Sequence, residues 1–213
     1  MIVMEIFVAT GNEHKKQELC QLFYPHKIII PKDRGINFNP EENGTSFIEN
    51  ALIKAKALYE LVKKPVIADD SGICVDILNG APGIYSARYV GKGEYSEKKI
   101  SDQERNVLLL EEAYGIKKGR CIDENTPLTC RFVCAMVLYL GKDRMYIAQE
   151  TIEGTLVSDI ESAKGSNGFG YDPIVYLPEL GKTIAELSPE EKNKISHRGK
   201  AAKSLQLIVQ NIF

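Results

Sequence analysis

Residues 46–72, SFIENALIKAKALYELVKKPVIADDSG, carry a helix into a buried strand, and that pairing sets the fold class. Ser46 and Glu49 form the S-x-x-E box that opens a helix. Apolar residues then recur at Ile48, Ala51, Leu52, Ala55, Leu58, Tyr59 and Val62, the spacing of one buried helical face. Lys54, Lys56, Lys63 and Lys64 fall largely off that stripe, and Pro65 stops the helix. Val66–Ala68 reads as a short buried strand that runs directly into Asp69-Asp70-Ser71-Gly72.

Working outward, Glu5–Thr10 reads as a strand broken by Gly11 and Asn12, and Glu13–Phe23 as a helix. Ile28–Ile30 is a second strand signal, followed by a polar loop to Asn43. Beyond the central stretch, Ile73–Leu78 is extended and Asn79–Gly83 is turn-rich. Ser101 and Glu104 open a helix expected to end near Gly115, and residues 116–129 read as a polar surface loop. Arg131–Leu140 and Met145–Thr151 form a β-hairpin around Gly141-Lys142-Asp143, extended by Glu153–Val157. Gly165–Asp172 is a glycine-rich loop. Ser188-Pro189-Glu190-Glu191 starts a short helix, and Ser196 caps the last one. Helices and strands intermix with hairpins, which favours a mixed α/β sheet. No repeat, low-complexity tract or linker interrupts the 213 residues.

The bulk numbers exclude several classes. Hydrophobic residues make up 44% and charged residues 26%, an ordinary globular balance. A net charge of −2 without a basic tail argues against a long nucleic acid as partner. Five cysteines without C-x-x-C spacing support neither a disulfide framework nor a zinc site, and fit reduced thiols in a cytoplasm. Cys130 and Cys134 share one side of a strand, a spacing that suits packing. The sequence MIVMEIFVATGN has no signal-peptide pattern, and no apolar run approaches the ~20 residues of a membrane span.

Five constellations are candidates for chemistry. Thr10, Gly11, Asn12, Glu13, His14 and Lys15 mark a strand end, a turn and a helix start, where free N–H groups and the helix dipole attract anions. The plainer alternative is a connection capped by Asn12. Asp69 and Asp70 sit side by side, and a divalent cation would relieve their repulsion; otherwise one of them caps a Ser-Gly turn. Glu41, Glu42 and Glu49 add acidity, although Glu49 already completes the box with Ser46. In Gly165-Ser166-Asn167-Gly168-Phe169-Gly170-Tyr171-Asp172-Pro173, the glycines admit close approach, Phe169 offers a stacking face and Asp172 an acceptor; the alternative buries Phe169 and Tyr171 in the core. Lys192, His197 and Arg198 supply donors for phosphate or a carbonyl oxygen, or line a solvated helix entrance. His14 itself reads as a surface helix residue and His26 as loop.

Taken in order, ATGNEHK, EENGTSFIENALIKAK, IADDSGICVDILNGAPGIYSARY, RFVCAMVLY, GSNGFGYDPI and GKTIAELSPEEKNKISHRGKA resemble the inosine triphosphate pyrophosphatase family essentially from end to end. Residues 116–129 are longer than the family pattern. The resemblance implies one domain over residues 1–213, an elongated two-lobed α/β fold. It has a long central mixed sheet flanked by helices, with the active site in the cleft between lobes. It also implies a homodimer in the cytoplasm and Mg²⁺ as cofactor. The implied reaction is hydrolysis of deaminated purine nucleoside triphosphates (ITP, dITP, XTP) to monophosphate and pyrophosphate. By the same resemblance Thr10, Gly11, Asn12, Glu13, His14 and Lys15 hold the triphosphate, and Asp70 is the catalytic carboxylate and metal ligand. Glu42 is a second metal ligand, Glu49 and Asp69 are supports, and Ser71 touches substrate. Phe169, Gly170, Tyr171, Asp172, Lys192, His197 and Arg198 form the nucleotide pocket. Three rival readings are a Maf-like pyrophosphatase acting on pyrimidine or modified nucleotides, which a comparison of ITP with UTP would separate, a nucleotide-binding sensor that does not hydrolyse, and a structural protein.

Overall fold

A computed structural model describes residues 3–96 and 100–212. Its regular elements are β1 (Glu5–Val8), α1 (Glu13–Leu22), β2 (Lys27–Ile29), α2 (Phe47–Val62), β3 (Val66–Val75), β4 (Tyr89–Gly91) and β5 (Glu94–Tyr95). They continue with α3 (Asp102–Gly119), β6 (Thr129–Tyr139), β7 (Met145–Leu156), β8 (Val175–Leu177), β9 (Lys182–Thr183), α4 (Pro189–Ile195) and α5 (His197–Ile212). Seven strands form one sheet in the order β2-β1-β3-β6-β7-β8-β9, and β4 pairs with β5 separately. β1 runs parallel to β2 and β3, whereas β8 runs antiparallel to β7 and β9, so the sheet is mixed.

The chain divides into two compact units. One holds Met1–Asp70, Val133–Thr151 and Asn193–Phe213; the other holds Ser71–Phe132 and Ile152–Lys192. In the first unit the strand alternation sorts side chains onto two faces. Ile6, Val8, Ile67, Cys134, Met136 and Leu138 pack with Leu19 and Phe23 of the α1 region and with Ala201, Ala202, Leu205 and Val209 of α5. Phe7, Ala9, Val66, Ala68, Val137 and Tyr139 pack on the opposite side against Ala51, Ala55 and Leu58 of α2. β1 and β6 are apolar on both sides there, as strands covered by helices on both faces are, whereas β7 leaves Met145, Ile147 and Gln149 exposed.

In the second unit a 3₁₀ turn at Gly83–Arg88 is fastened to β3. Ser86 Oγ accepts from the Ile73 N–H at 2.9 Å and donates to the Gly83 carbonyl at 2.6 Å. Gly72 is needed for this approach, because a Cβ there would lie 2.3 Å from the Gly83 oxygen and 2.4 Å from Ser86 Oγ.

Two sequence expectations are corrected. Val66–Ala68 and Ile73–Leu78 are not separate segments: β3 runs unbroken through Asp69-Asp70-Ser71-Gly72, and only Asp76–Leu78 turns away as a 3₁₀ helix. Asp69 and Asp70 therefore cap no turn. Second, α3 continues past Gly115 to Gly119, so part of residues 116–129 is helix. The buried Lys117 ammonium donates to the carbonyls of Glu124 and Thr126, at 2.7 Å each, and organises the remaining loop from within.

Candidate active site

Adjacent positions on a strand point to opposite faces, and this separates the two aspartates. Asp69 follows Ile67 onto the α1/α5 side, and Asp70 follows Ala68 onto the α2 side. Asp69 is 1% exposed and meets Lys15 of α1 at 2.9 Å and Arg198 of α5 at 3.1 Å. Arg198 is 2% exposed and also holds Glu18 at 2.6 Å. Burial alone would raise the Asp69 pKa, but Lys15 and Arg198, with Lys54 behind them, hold it well below the ordinary carboxylate value.

Asp70 has a different environment. Its Oδ1 accepts from Lys54 Nζ at 2.9 Å, and its Oδ2 lies 3.4 Å from Asn50 Nδ2. Burial raises its pKa, opposed by Lys54 and Lys15 and helped by the Glu42 charge. The repulsion expected between neighbouring acids is thus relieved by geometry: one acid is locked in an ion cluster with its pKa lowered, and the other faces Lys54 with its pKa raised by burial. Environments that push two carboxylates apart are the usual sign of divided roles.

Lys54 was expected off the buried stripe of α2, and it lies inside. It is 8% exposed, and its ammonium bridges Glu42 Oε2 at 2.8 Å and Asp70 Oδ1 at 2.9 Å. Two carboxylates therefore converge on one cation. Asn50 is also buried and donates toward Asp70, while its Oδ1 accepts from the Gly44 N–H at 2.9 Å and pins the loop that carries Glu42. The signal for both was the i, i+4 spacing Asn50–Lys54–Leu58, which puts them in line with a core leucine. Glu49 takes another path. Its carboxylate accepts from the Thr45 N–H at 2.6 Å and the Thr45 hydroxyl at 2.8 Å, while its N–H donates to Ser46 Oγ at 3.2 Å. It closes the start of α2, one residue further back than the simple capping box.

At the start of α1, Asn12 is the N-cap. Its Oδ1 accepts from the N–H groups of His14 and Lys15 at 2.9 and 3.1 Å, and its own N–H donates to Thr10 Oγ1 at 3.1 Å. The cap satisfies two of the helix-start donors. The positive charge of this segment is Lys15, anchored on Asp69. Gly11, Glu13 and His14 are exposed around it, and Glu41 is exposed beyond the acid pair.

The donor chemistry fits a hard cation. Asp70 and Glu42 already face one shared positive charge, the Lys54 ammonium. No group of three or more His, Cys, Asp or Glu side chains suited to a metal occurs among the described residues. Asp70 and Glu42 are the two carboxylates that could hold a hard divalent cation, the rest of its shell being water and phosphate oxygen.

In the second unit the glycine-rich loop forms a separate constellation. Lys192 is buried, pairs with Asp172 Oδ2 at 2.8 Å and lies 5.0 Å from the Phe169 ring centre. Asp172 Oδ2 also accepts from the Phe169 N–H at 2.9 Å. Phe169 is half-buried, whereas Tyr171 is buried and donates its hydroxyl to the Ser86 carbonyl at 2.8 Å. Of the two alternatives for the aromatic pair, Tyr171 is thus the ring packed into the core and Phe169 the one left partly open. Gly168 stands at φ +82°, and a Cβ on it would lie 2.1 Å from Asp172 Oδ2. Ser71 is half-buried on β3, and His197 is buried at the start of α5. Arg198, expected either to read the base or to line a solvated helix entrance, is buried with its guanidinium on Asp69 and Glu18, which sets aside the solvated entrance.

Residues 6–208 match the model of the Ham1 family. The chain belongs to the Ham1 family. Among its relatives, this family member is 48% identical to the dITP/XTP pyrophosphatase of Treponema denticola over 97% of this chain and 99% of the relative. It is 40% identical to the dITP/XTP pyrophosphatase of Geobacillus kaustophilus over 94% and 92%. Among solved structures, a HAM1 protein from Coxiella burnetii superposes with a TM-score of 0.81 at 34% identity, covering 98% of this chain and 100% of that one. The Ham1 protein of Staphylococcus aureus does so with 0.77 at 35%, covering 97% and 98%. No described helix of this Ham1-family chain is long and apolar enough to cross a membrane.

Proposed function

We propose that this chain hydrolyses deaminated purine nucleoside triphosphates, dITP, ITP and XTP, to the monophosphate and pyrophosphate, with Mg²⁺ as cofactor. The observation that carries the reading is the convergence of Asp70 and Glu42 on one cation beside an acid, Asp69, that is already neutralised. The names of the relatives point to the same substrates.

Asp70 accepts a proton from a water molecule. That water forms a bond to the α-phosphorus while the bond to the bridging oxygen of the β-phosphate breaks, and pyrophosphate leaves. Asp70 and Glu42 would hold Mg²⁺, which when bound neutralises phosphate charge and makes its bound water more acidic. Lys15, fixed by Asp69, and Lys54, fixed by the two acids, present positive charge to the leaving phosphates. The segment Thr10, Gly11, Asn12, Glu13, His14 and Lys15 binds the triphosphate, and Ser71 contacts the substrate. Positioning and electrostatics supply most of the rate in such a transfer.

Phe169 stacks on the base, while Asp172, Lys192 and His197 supply polar contacts to its edge; Arg198 steadies Asp69. A 6-oxo base meets donors there, and a 6-amino group leaves them unmatched at a cost of ~1–3 kcal/mol per buried group. The reading also includes a homodimer and a cytoplasmic setting; a light-scattering mass of one chain would remove the dimer.

The test is pyrophosphate release from ITP, XTP, GTP, ATP and UTP with and without Mg²⁺. Metal-dependent release from ITP and XTP, with little from ATP or GTP, is expected. Release chiefly from UTP would point to the Maf-like reading, and no release from any nucleotide would leave a binding protein.

A further inference from the structure

The peptide of Gly170 is gripped from both sides by side chains of α3. Its N–H donates to Asp102 Oδ2 at 2.7 Å, and its carbonyl accepts from Asn106 Nδ2 at 3.1 Å. Gly170 stands at φ +65°, in the left-handed region. Its neighbour Phe169 and its near neighbour Asp172 carry the ring and the carboxylate of the glycine-rich loop. Asp172 ties this loop internally, through the Phe169 N–H and Lys192. Asp102 and Asn106 tie it externally, to a helix of 18 residues.

The grip is itself braced. Arg105 Nη1 donates to Asp102 Oδ1 at 2.7 Å, and Nη2 donates to the Ile100 carbonyl at 3.3 Å. Asp102 thus has one oxygen fixed by Arg105 and the other turned to Gly170. Asn106 is 4% exposed, and its Oδ1 has no hydrogen-bond partner among the described residues. A buried amide that forgoes an acceptor contact pays for one well-placed donor. Ser101 already caps α3 through the Glu104 N–H at 3.1 Å, so Asp102 is not needed as the cap.

We infer that Asp102 and Asn106 are positioning residues for base recognition: by holding both polar groups of the Gly170 peptide they fix where Phe169 and Asp172 present themselves to the purine. The inference rests on the function proposed above. Discrimination by hydrogen bonds needs groups placed to within a fraction of an ångström, and a loop with several glycines does not hold such a placement unaided. The role assigned to both is positioning, not contact with the base. Both act through Gly170.

The test compares Asn106→Leu, Asp102→Ala and Asp102→Asn with the wild-type chain. Each is assayed for KM and kcat on ITP and ATP and for thermal melting. Asn106→Leu and Asp102→Ala should raise KM for ITP about tenfold, the worth of one lost hydrogen bond. The preference for ITP over ATP should fall by a similar factor, with kcat held within about threefold because the acid pair is untouched. Asp102→Asn keeps an acceptor oxygen and should recover most of the KM. The Asp102 side chain is 52% exposed, so its alanine variant folds even if Asn106→Leu does not. Unchanged KM and preference in Asp102→Ala, or a loss confined to kcat or melting, overturns the grip. A wild-type chain that releases no pyrophosphate from ITP overturns the functional reading, and the grip's role falls with it.

Discussion

Two adjacent isosteric substitutions, Asp69→Asn and Asp70→Asn, should have opposite consequences. Asp69 is completely buried between Lys15 and Arg198, and its carboxylate is held ionised. Removing one member of a buried ion cluster costs about 3–5 kcal/mol, because the remaining charge stays desolvated. Arg198, 2% exposed, would lose Asp69 as an acidic partner and keep Glu18. In a chain of this size each kcal/mol moves the melting point by about 2–4 °C, so Asp69→Asn should melt about 6–20 °C below wild type. Asp70 is the reverse case. Burial disfavours its charge, and Lys54 keeps Glu42 as a partner when Asp70 is neutral. Asp70→Asn should therefore melt within a few degrees of wild type while losing pyrophosphate release.

The pH dependence follows with the same signs. The stabilising contribution of Asp69 is complete above its unfolded pKa and is lost only as pH falls through its depressed folded value. Asp70 is raised in the fold, so its contribution is full below its unfolded pKa and fades as pH rises through the folded value. In metal-free buffer, the melting point of Asp70→Asn should gain on wild type as pH rises from about 4. Scanning calorimetry of the three proteins from acid to neutral pH is the assay. Equal melting points for the two variants, or a larger loss in Asp70→Asn, would refute the separation of the pair onto opposite faces.

Two further outcomes are expected. Gly168→Ala places a methyl 2.1 Å from Asp172 Oδ2 at a φ of +82°, so KM for ITP should rise at least tenfold with melting shifted by only a few degrees, measured by steady-state kinetics and a thermal scan. Cys20 and Cys121 are exposed, whereas Cys130 and Cys134 are buried with thiols pushed up to about 12, so a thiol reagent at neutral pH should label the first two quickly and the last two only after denaturation; prompt labelling of Cys134 would contradict the packing of the first unit.

The elements were legible where one face of a helix or a local cap decides. The stripe of α2, the Asn12 and Ser196 caps and the Ser188–Glu191 box all stand where the spacing put them. What escaped was set by long-range packing. A strand through Asp69-Asp70-Ser71-Gly72 defies local turn chemistry and is held in place by β1 and by the Ser86 turn. Lys54 looked like a surface lysine until its partners, distant in sequence, came to meet it. Arg198 and Glu18 are 180 residues apart, and nothing local pairs them. Asp102 and Asn106 were hidden because their partner is a backbone peptide, which leaves no side-chain signature.

The alternation of β3 also governs how this stretch tolerates drift in length. Deleting one residue between Val66 and Ala68, with the start of the strand held in register, would hand each aspartate to the other's neighbours: the acid meant for Lys54 and Glu42 would turn toward Lys15 and Arg198, while the apolar residues before the deletion kept their sides. Loss of two residues would shorten the strand yet keep the assignment. The connection at residues 63–65 carries no such constraint. The spelling of the strand is thus read in steps of two, and an insertion that looks harmless in an alignment is a frameshift for the side chains.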